Sequence, residues 1–192
     1  GSADIAMPGG DDFGSRPIDL HVAGLEAMGA QFELNKDGIR ATAKKLQGAS
    51  IELKFPSVGA TENILTAAVL ANGVTVIDNA AREPEIVDLC TMLVDMGAVI
   101  SGIGTDRLSI TGVKQNQLHS TDHEVVNDRV QAATYISAVA VTRGDVFVRG
   151  ARAEHMEMLI NRFSEMGVGI TPQQDGLHVN CHGRLRAIDF AT

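Results

Sequence analysis

The sequence predicts an α/β (α+β) protein assembled from tandem copies of one βαβαββ unit. Three observations carry this. A Met-Gly-small phrase recurs at Met28-Gly29-Ala30, Met96-Gly97-Ala98 and Met166-Gly167-Val168, with the glycines 68 and 70 residues apart. Self-similarity at a fixed period marks a repeated supersecondary unit. Upstream of each phrase the apolar positions repeat in step at helical spacing. Downstream of each, two short apolar runs flank a turn rich in Gly and Asp.

The first copy opens on a strand near Asp4 to Met7. A helix follows whose inner face is Ile18, His21, Val22, Leu25 and Met28. Spacing of three and four residues places these side chains on one stripe. The helix ends at Gly29, a residue suited to the left-handed C′ position. Ala30 to Leu34 then turns through Lys36-Asp37-Gly38 into Ile39 to Thr42, a hairpin pattern.

The second copy adds an earlier strand and helix. The helix runs from Gly59 to Asn72, closed by Gly73, and its interior Ile64-Leu65-Thr66-Ala67-Ala68-Val69-Leu70-Ala71 has almost no polar face. Such a helix is expected inside a domain. Val74 to Asp78 is the next strand. Ile86, Leu89, Cys90, Leu93 and Met96 form the amphipathic helix, and Ala98 to Gly102 with Leu108 to Thr111 close the unit.

The third copy repeats this order. A helix over Asp128 to Arg143, closed by Gly144, is again apolar or small nearly all round. Asp145 to Arg149 is a strand, Met156, Leu159, Ile160, Phe163 and Met166 a helical stripe, and Val168 to Thr171 with Leu177 to Asn180 a hairpin. Two and a half units fill the chain.

Composition narrows the function. The 192 residues carry 16 Lys plus Arg against 24 Asp plus Glu, a net charge of -8. That balance disfavours nucleic acid and anionic membranes, which select basic faces. No stretch approaches the roughly 20 unbroken apolar residues of a membrane span. The start has no basic region leading into an apolar run, so a cytoplasmic protein is expected. Two cysteines are too few for a disulfide framework. The histidines show no ligand spacing with acidic or Cys partners, so no metal is expected. His21 holds the slot of Leu89 and Leu159 and reads as a packed core residue. Gly1-Ser2 without an initiator Met, and the unfinished apolar ending Ala187 to Thr192, read as cuts from a longer chain.

Two stretches stand out as candidate sites. Pro8-Gly9-Gly10-Asp11-Asp12-Phe13-Gly14-Ser15-Arg16 is longer than the matching interval in the second copy. Its glycines suit close backbone approach to a ligand, and equally a solvated turn. Pro17 is expected in the first turn of the next helix, where free amides beside Arg16 would favour an anion. The second stretch is Phe55-Pro56-Ser57-Val58-Gly59-Ala60-Thr61-Glu62-Asn63, feeding the start of a buried helix. It suits a phosphate or sugar hydroxyl, or simply an N-cap by Ser57 or Thr61. The run Asn79 to Glu85 reads as the cap of the following helix.

The phrases MPGGDDFGSRPIDLHVAGLEAMGA and PSVGATENILTAAVLANGVTVIDNAAREPEIVDLCTMLVDMGAVISGIGTDRLSITGV resemble the bacterial UDP-N-acetylglucosamine 1-carboxyvinyltransferases over essentially the whole chain. GSRPIDLH and NAAREPEIVD are the specific parts. The resemblance implies an inside-out α/β barrel fold of two similar domains, each of three repeats, with the apolar helices inside and the sheets outside. Residues 1–122 would be the second half of the first domain and 123–192 the first repeat of the second.

The same resemblance implies a transferase of peptidoglycan synthesis, and hence of cell-wall growth and division. The enolpyruvyl group of phosphoenolpyruvate would pass to the 3-hydroxyl of UDP-N-acetylglucosamine, with no cofactor. Asp11 stands where many members have a Cys that protonates the enolpyruvyl methylene. Arg16, Pro17, Ile18, Asp19 and Leu20 match the UDP-sugar contact, and Ser57, Val58 and Gly59 a second nucleotide contact. Phe55 and Pro56 replace a Lys and a small apolar residue of many members. Glu83, Glu85, Asp128 and Arg129 match positions near the interdomain cleft, with no role assigned. The family's Pro-Thr-Asp base and its Lys-Asn pair fall outside the chain, so the segment alone is expected to be inactive. The alternatives are the sister transferase acting on shikimate 3-phosphate and a non-catalytic, self-associating module.

Overall fold

The computed structural model describes residues 1–6, 17–35 and 38–189. The chain divides into two compact units, Gly1–Glu124 and Val125–Thr192.

The first unit holds the incomplete copy and the second copy. Strands β1 (Ser2–Ala6), β2 (Gln31–Asn35) and β3 (Gly38–Thr42) form an antiparallel sheet in the order β1-β3-β2, with Ile39 opposite both Ile5 and Leu34. Helix α1 (Asp19–Ala27) lies between β1 and β2 in the chain. The second copy runs β4 (Ser50–Glu52), α2 (Val58–Val69), β5 (Val74–Asp78), α3 (Pro84–Asp95), β6 (Val99–Ser101) and β7 (Arg107–Thr111). Its sheet has the order β4-β5-β7-β6, with β4 parallel to β5 and the other pairs antiparallel.

One core serves both copies. Ile64, Leu65 and Ala68 of α2, Ile77 of β5, Leu108 and Ile110 of β7, Ile86 and Cys90 of α3 and Met28 after α1 are all buried in it. Helix α1 packs on α2 at Gly24. A Cβ on Gly24 would overlap the Ile64 side chain, so any larger residue there would force Ile64 to shift within the core.

The second unit is the third copy: α4 (Arg129–Thr142), β8 (Asp145–Arg149), α5 (Glu157–Met166), β9 (Gly169–Gln173) and β10 (Gly176–Asn180). Its antiparallel sheet has the order β8-β10-β9. The core combines Ala132, Ile136, Val139 and Ala140 of α4 with Val148, Leu177, Val179 and Cys181.

The repeat predicted from sequence is present, and the amphipathic helices end at the expected glycines. Gly29, Gly97 and Gly167 take φ of 95°, 106° and 98°. Five expectations need correction. Pro17 lies before α1 rather than in its first turn, and Ile18 is the N-cap. Helix α2 stops at Val69 because the carbonyls and amides beyond it are engaged elsewhere. Val69 O accepts from Val113 N–H, Asn72 N–H donates to Leu46 O, and Asn72 O accepts from Gly48 N–H. At the end of α4 it is Arg143, not Gly144, that adopts the left-handed conformation, with φ of 57°. The largest correction concerns α4 itself. Val130, Tyr135 and Val141 are 62%, 57% and 74% exposed, so this apolar helix is buried on one face only. Residues 118–128 also form no opening strand beside β8.

Candidate functional site

Asp11 and Arg16 lie outside the described residues. The remaining expected contacts gather at the opening turns of α1 and α2. Ile18 carries no side-chain oxygen to cap α1, and its carbonyl accepts from Val22 N–H at 3.0 Å. Asp19 stands exposed in the first turn, where a negative charge meets the positive end of the helix dipole. Leu20 is half-buried and packs on the first unit's core. Pro17 is exposed.

Ser57 is the N-cap of α2. Its Oγ accepts from Ala60 N–H at 3.3 Å, and its carbonyl accepts from Thr61 N–H and from the Thr61 hydroxyl at 2.8 Å. Thr61 is buried, and its Oγ1 also accepts from Ala81 N–H at 3.1 Å, which fastens the loop after β5 onto α2. The structural reading of this stretch is therefore satisfied for Ser57 and Thr61. That leaves the amides of Val58 and Gly59 ahead of the intrahelical ladder, the usual donors for an anion at a helix start.

The two opening turns meet through side chains. Asn63 Nδ2 lies 2.7 Å from His21 Nδ1 and donates to Gly59 O at 3.2 Å. A Cβ built on Gly59 would stand 3.2 Å from His21 Cε1. His21 is thus half-buried and polar-paired, not the simple core residue expected from its slot. The sequence marks Asn63 as the end of the second candidate stretch and His21 as core, but not their pairing. The available signal was a histidine where the other two copies hold leucine.

The Asn79 to Glu85 loop leads into α3, but its N-cap, Glu83, makes no side-chain capping bond, contrary to the cap expected from sequence. Asn79, at φ of 55°, donates from Nδ2 to Leu53 O at 2.7 Å. Arg82 N–H donates to the Glu83 carboxylate, and Pro84 opens α3. Asp128 caps α4, with Oδ1 accepting from Val130 N–H at 2.8 Å and Gln131 N–H at 3.0 Å. Arg129 is the first residue of that helix. Burial pushes the Cys90 thiol up to about 11, so it is no nucleophile at neutral pH. Among the described residues no cluster of His, Cys, Asp and Glu could hold a metal, and no helix is long and apolar enough to cross a membrane.

The sequence profile of the EPSP synthase (3-phosphoshikimate 1-carboxyvinyltransferase) family matches residues 1–192. The chain belongs to that family. Curated relatives at about 50% identity are UDP-N-acetylglucosamine 1-carboxyvinyltransferases. UDP-N-acetylglucosamine 1-carboxyvinyltransferase 1 of Staphylococcus aureus is 50% identical over 193 aligned positions, all of this chain and 45% of the relative. The Nocardia farcinica UDP-N-acetylglucosamine 1-carboxyvinyltransferase is 53% identical over 98% of the chain and 44% of its own length. The chain thus spans under half the length of the curated relatives it matches. Solved structures agree on the fold. The enolpyruvyl transferase NikO from Streptomyces tendae superposes with a TM-score of 0.75 over 88% of this chain and 42% of its own, at 22% identity. EPSP synthase from Acinetobacter baumannii does so at 0.63 over 98% and 45%, at 24% identity. The enolpyruvyl transferase fold that the resemblance implies is therefore the fold of this chain.

Proposed function

We propose that the chain is part of an enzyme that transfers the enolpyruvyl group of phosphoenolpyruvate to the 3-hydroxyl of UDP-N-acetylglucosamine, releasing phosphate, in the cytoplasmic first committed step of peptidoglycan synthesis. The carrying observation is identity of about 50% along the whole chain to relatives of that name. In this reading Arg16 to Leu20 and Ser57 to Gly59 contact the nucleotide sugar. The test is competition binding to the 192-residue chain. UDP-N-acetylglucosamine should bind and shikimate 3-phosphate should not displace it. Preference for shikimate 3-phosphate would overturn the assignment in favour of the sister reaction.

Asp11 is the proposed proton donor to the enolpyruvyl methylene. A free Asp, with a pKa of about 3.9, is nearly all ionised at neutral pH, so the role requires desolvation to raise it when substrate binds. The whole enzyme should show an acid-limb group above the free-Asp value in its pH–rate profile. A carboxylate is a poorer nucleophile than a thiolate, so fosfomycin should leave Asp11 unlabelled. Stoichiometric adduct at Asp11 by mass spectrometry would overturn that.

One observation favours a second reading, self-association of the chain. The exposed apolar side chains of α4, with Met158 of α5, present a surface that soluble monomers seldom leave open. Light scattering should then give a mass above 20.3 kDa.

A further inference from the structure

The amide of Asn63 fixes the protonation pattern of His21. Its nitrogen donates to Gly59 O at 3.2 Å, and a carbonyl can only accept. Turning the amide over would set two acceptor oxygens against each other. The same nitrogen, which has a second hydrogen to donate and no lone pair to offer, lies 2.7 Å from His21 Nδ1. Nδ1 must therefore be bare, and the ring proton sits on Nε2. The Cε1–Nε2 edge of the ring lies over Gly59, where an added Cβ would stand 3.2 Å from Cε1 and 3.5 Å from Nε2.

This arrangement joins two segments far apart in the chain. His21 directly follows Pro17 to Leu20, and Gly59 ends Ser57 to Gly59. Leucine fills the matching slot in the other copies, as Leu89 and Leu159, so packing alone does not require a histidine.

We propose that His21 is a positioning residue. Through the Nδ1 bond to Asn63 it sets the spacing of the two segments that grip the UDP-sugar. The inference rests on the functional reading above and adds a residue to that site.

The test uses the 192-residue chain and the variants H21L, N63L, H21N and H21Q, titrated calorimetrically with UDP-N-acetylglucosamine. H21L copies the other repeats and keeps the packing but removes the acceptor. H21N places an oxygen near the Nδ1 position, whereas H21Q places one near Nε2. One hydrogen bond corresponds to roughly a 3- to 10-fold change in affinity. H21L, N63L and H21Q should weaken binding by about that factor, and H21N should restore it. Two-dimensional ¹⁵N spectra of the unliganded chain should show the Nε2–H tautomer at His21.

Wild-type affinity in H21L and N63L, rescue by H21Q but not H21N, or the Nδ1–H tautomer would each overturn the proposal alone. Failure of the unmodified chain to bind the nucleotide sugar would overturn the functional reading and the proposal with it. Thermal unfolding of each variant separates lost positioning from lost folding.

Discussion

Helices α2 and α4 occupy the same place in successive copies, yet α2 is buried on a face that α4 leaves to solvent. Ile64 and Tyr135 each stand seven residues after the N-cap, at Ser57 and Asp128. Ile64 is fully buried beneath Gly24 of α1, and Tyr135 is 57% exposed. The amphipathic helices differ in the same sense. Cys90 and Leu93 of α3 are buried, while Ile160 and Phe163, at the matching positions of α5, are only partly so. Between α4 and α5 an apolar groove of about 730 Å³ stays open, lined by Val130, Ala133, Met158, Leu159, Phe163 and Met166. The difference teaches that one repeat supplies the pattern and a second repeat within the same unit supplies the cover. The first unit has two copies to share a core, and the second has one.

The strongest way to break this comparison is to truncate both matched positions. Ile64→Ala should destabilise the first unit by about 2–5 kcal/mol, the cost of a core cavity. Tyr135→Ala should change the second unit by under about 1 kcal/mol, since its side chain is already largely hydrated. Hydrogen exchange of the β5 and β8 amides reads the two units separately. Equal effects would mean that α4 is as covered as α2.

The N-caps should rank the other way. Asp128→Ala removes two backbone hydrogen bonds and a charge suited to the helix start, for about 1 kcal/mol. Ser57→Ala removes one longer bond and should cost about half as much. Chemical denaturation of the two variants checks the order.

A smaller change should be a gain. Thr75 of β5 is buried with no hydrogen-bond partner for its hydroxyl, and the matching position in β8 is Val146. Thr75→Val should raise the stability of the first unit by up to about 1 kcal/mol in the same denaturation experiment.

The last effect vanishes at neutral pH. Burial holds the Cys90 thiol near 11 from an unperturbed 9.0, so the folded state keeps a proton that the unfolded state loses between these values. The unfolded state then binds fewer protons, and stability falls as pH rises through that window. Cys90→Ala should flatten this part of the pH profile, and alkylation of Cys90 at pH 8 should require unfolding.

Much of this was legible in advance, for physical reasons. The copies share periodic apolar faces, and period fixes element type before any contact exists. Strands Val74–Asp78 and Asp145–Arg149 fall where the sequence places them, and the helix-ending glycines take the left-handed conformation that made them recognisable. Boundaries set by long-range bonds were not legible. Helix α2 loses its last turn to residues 46–48 and 113, partners that no local pattern announces. Of the candidate site, Ser57 to Gly59 and Pro17 to Leu20 were marked by motif. His21 was misjudged because its partner, Asn63, lies 42 residues away.

The sequence by itself determined the repeat, the alternation of helices and strands, and the composition that disfavours nucleic acid and membrane. These depend on side-chain order along the chain, which backbone geometry converts directly into faces. Only the tertiary structure decided which apolar helix is covered, which hydroxyls and amides find partners, and that a histidine in a leucine slot meets an asparagine 42 residues away. Burial and hydrogen bonding are properties of neighbours in space, and the identities of those neighbours appear only once the chain has folded.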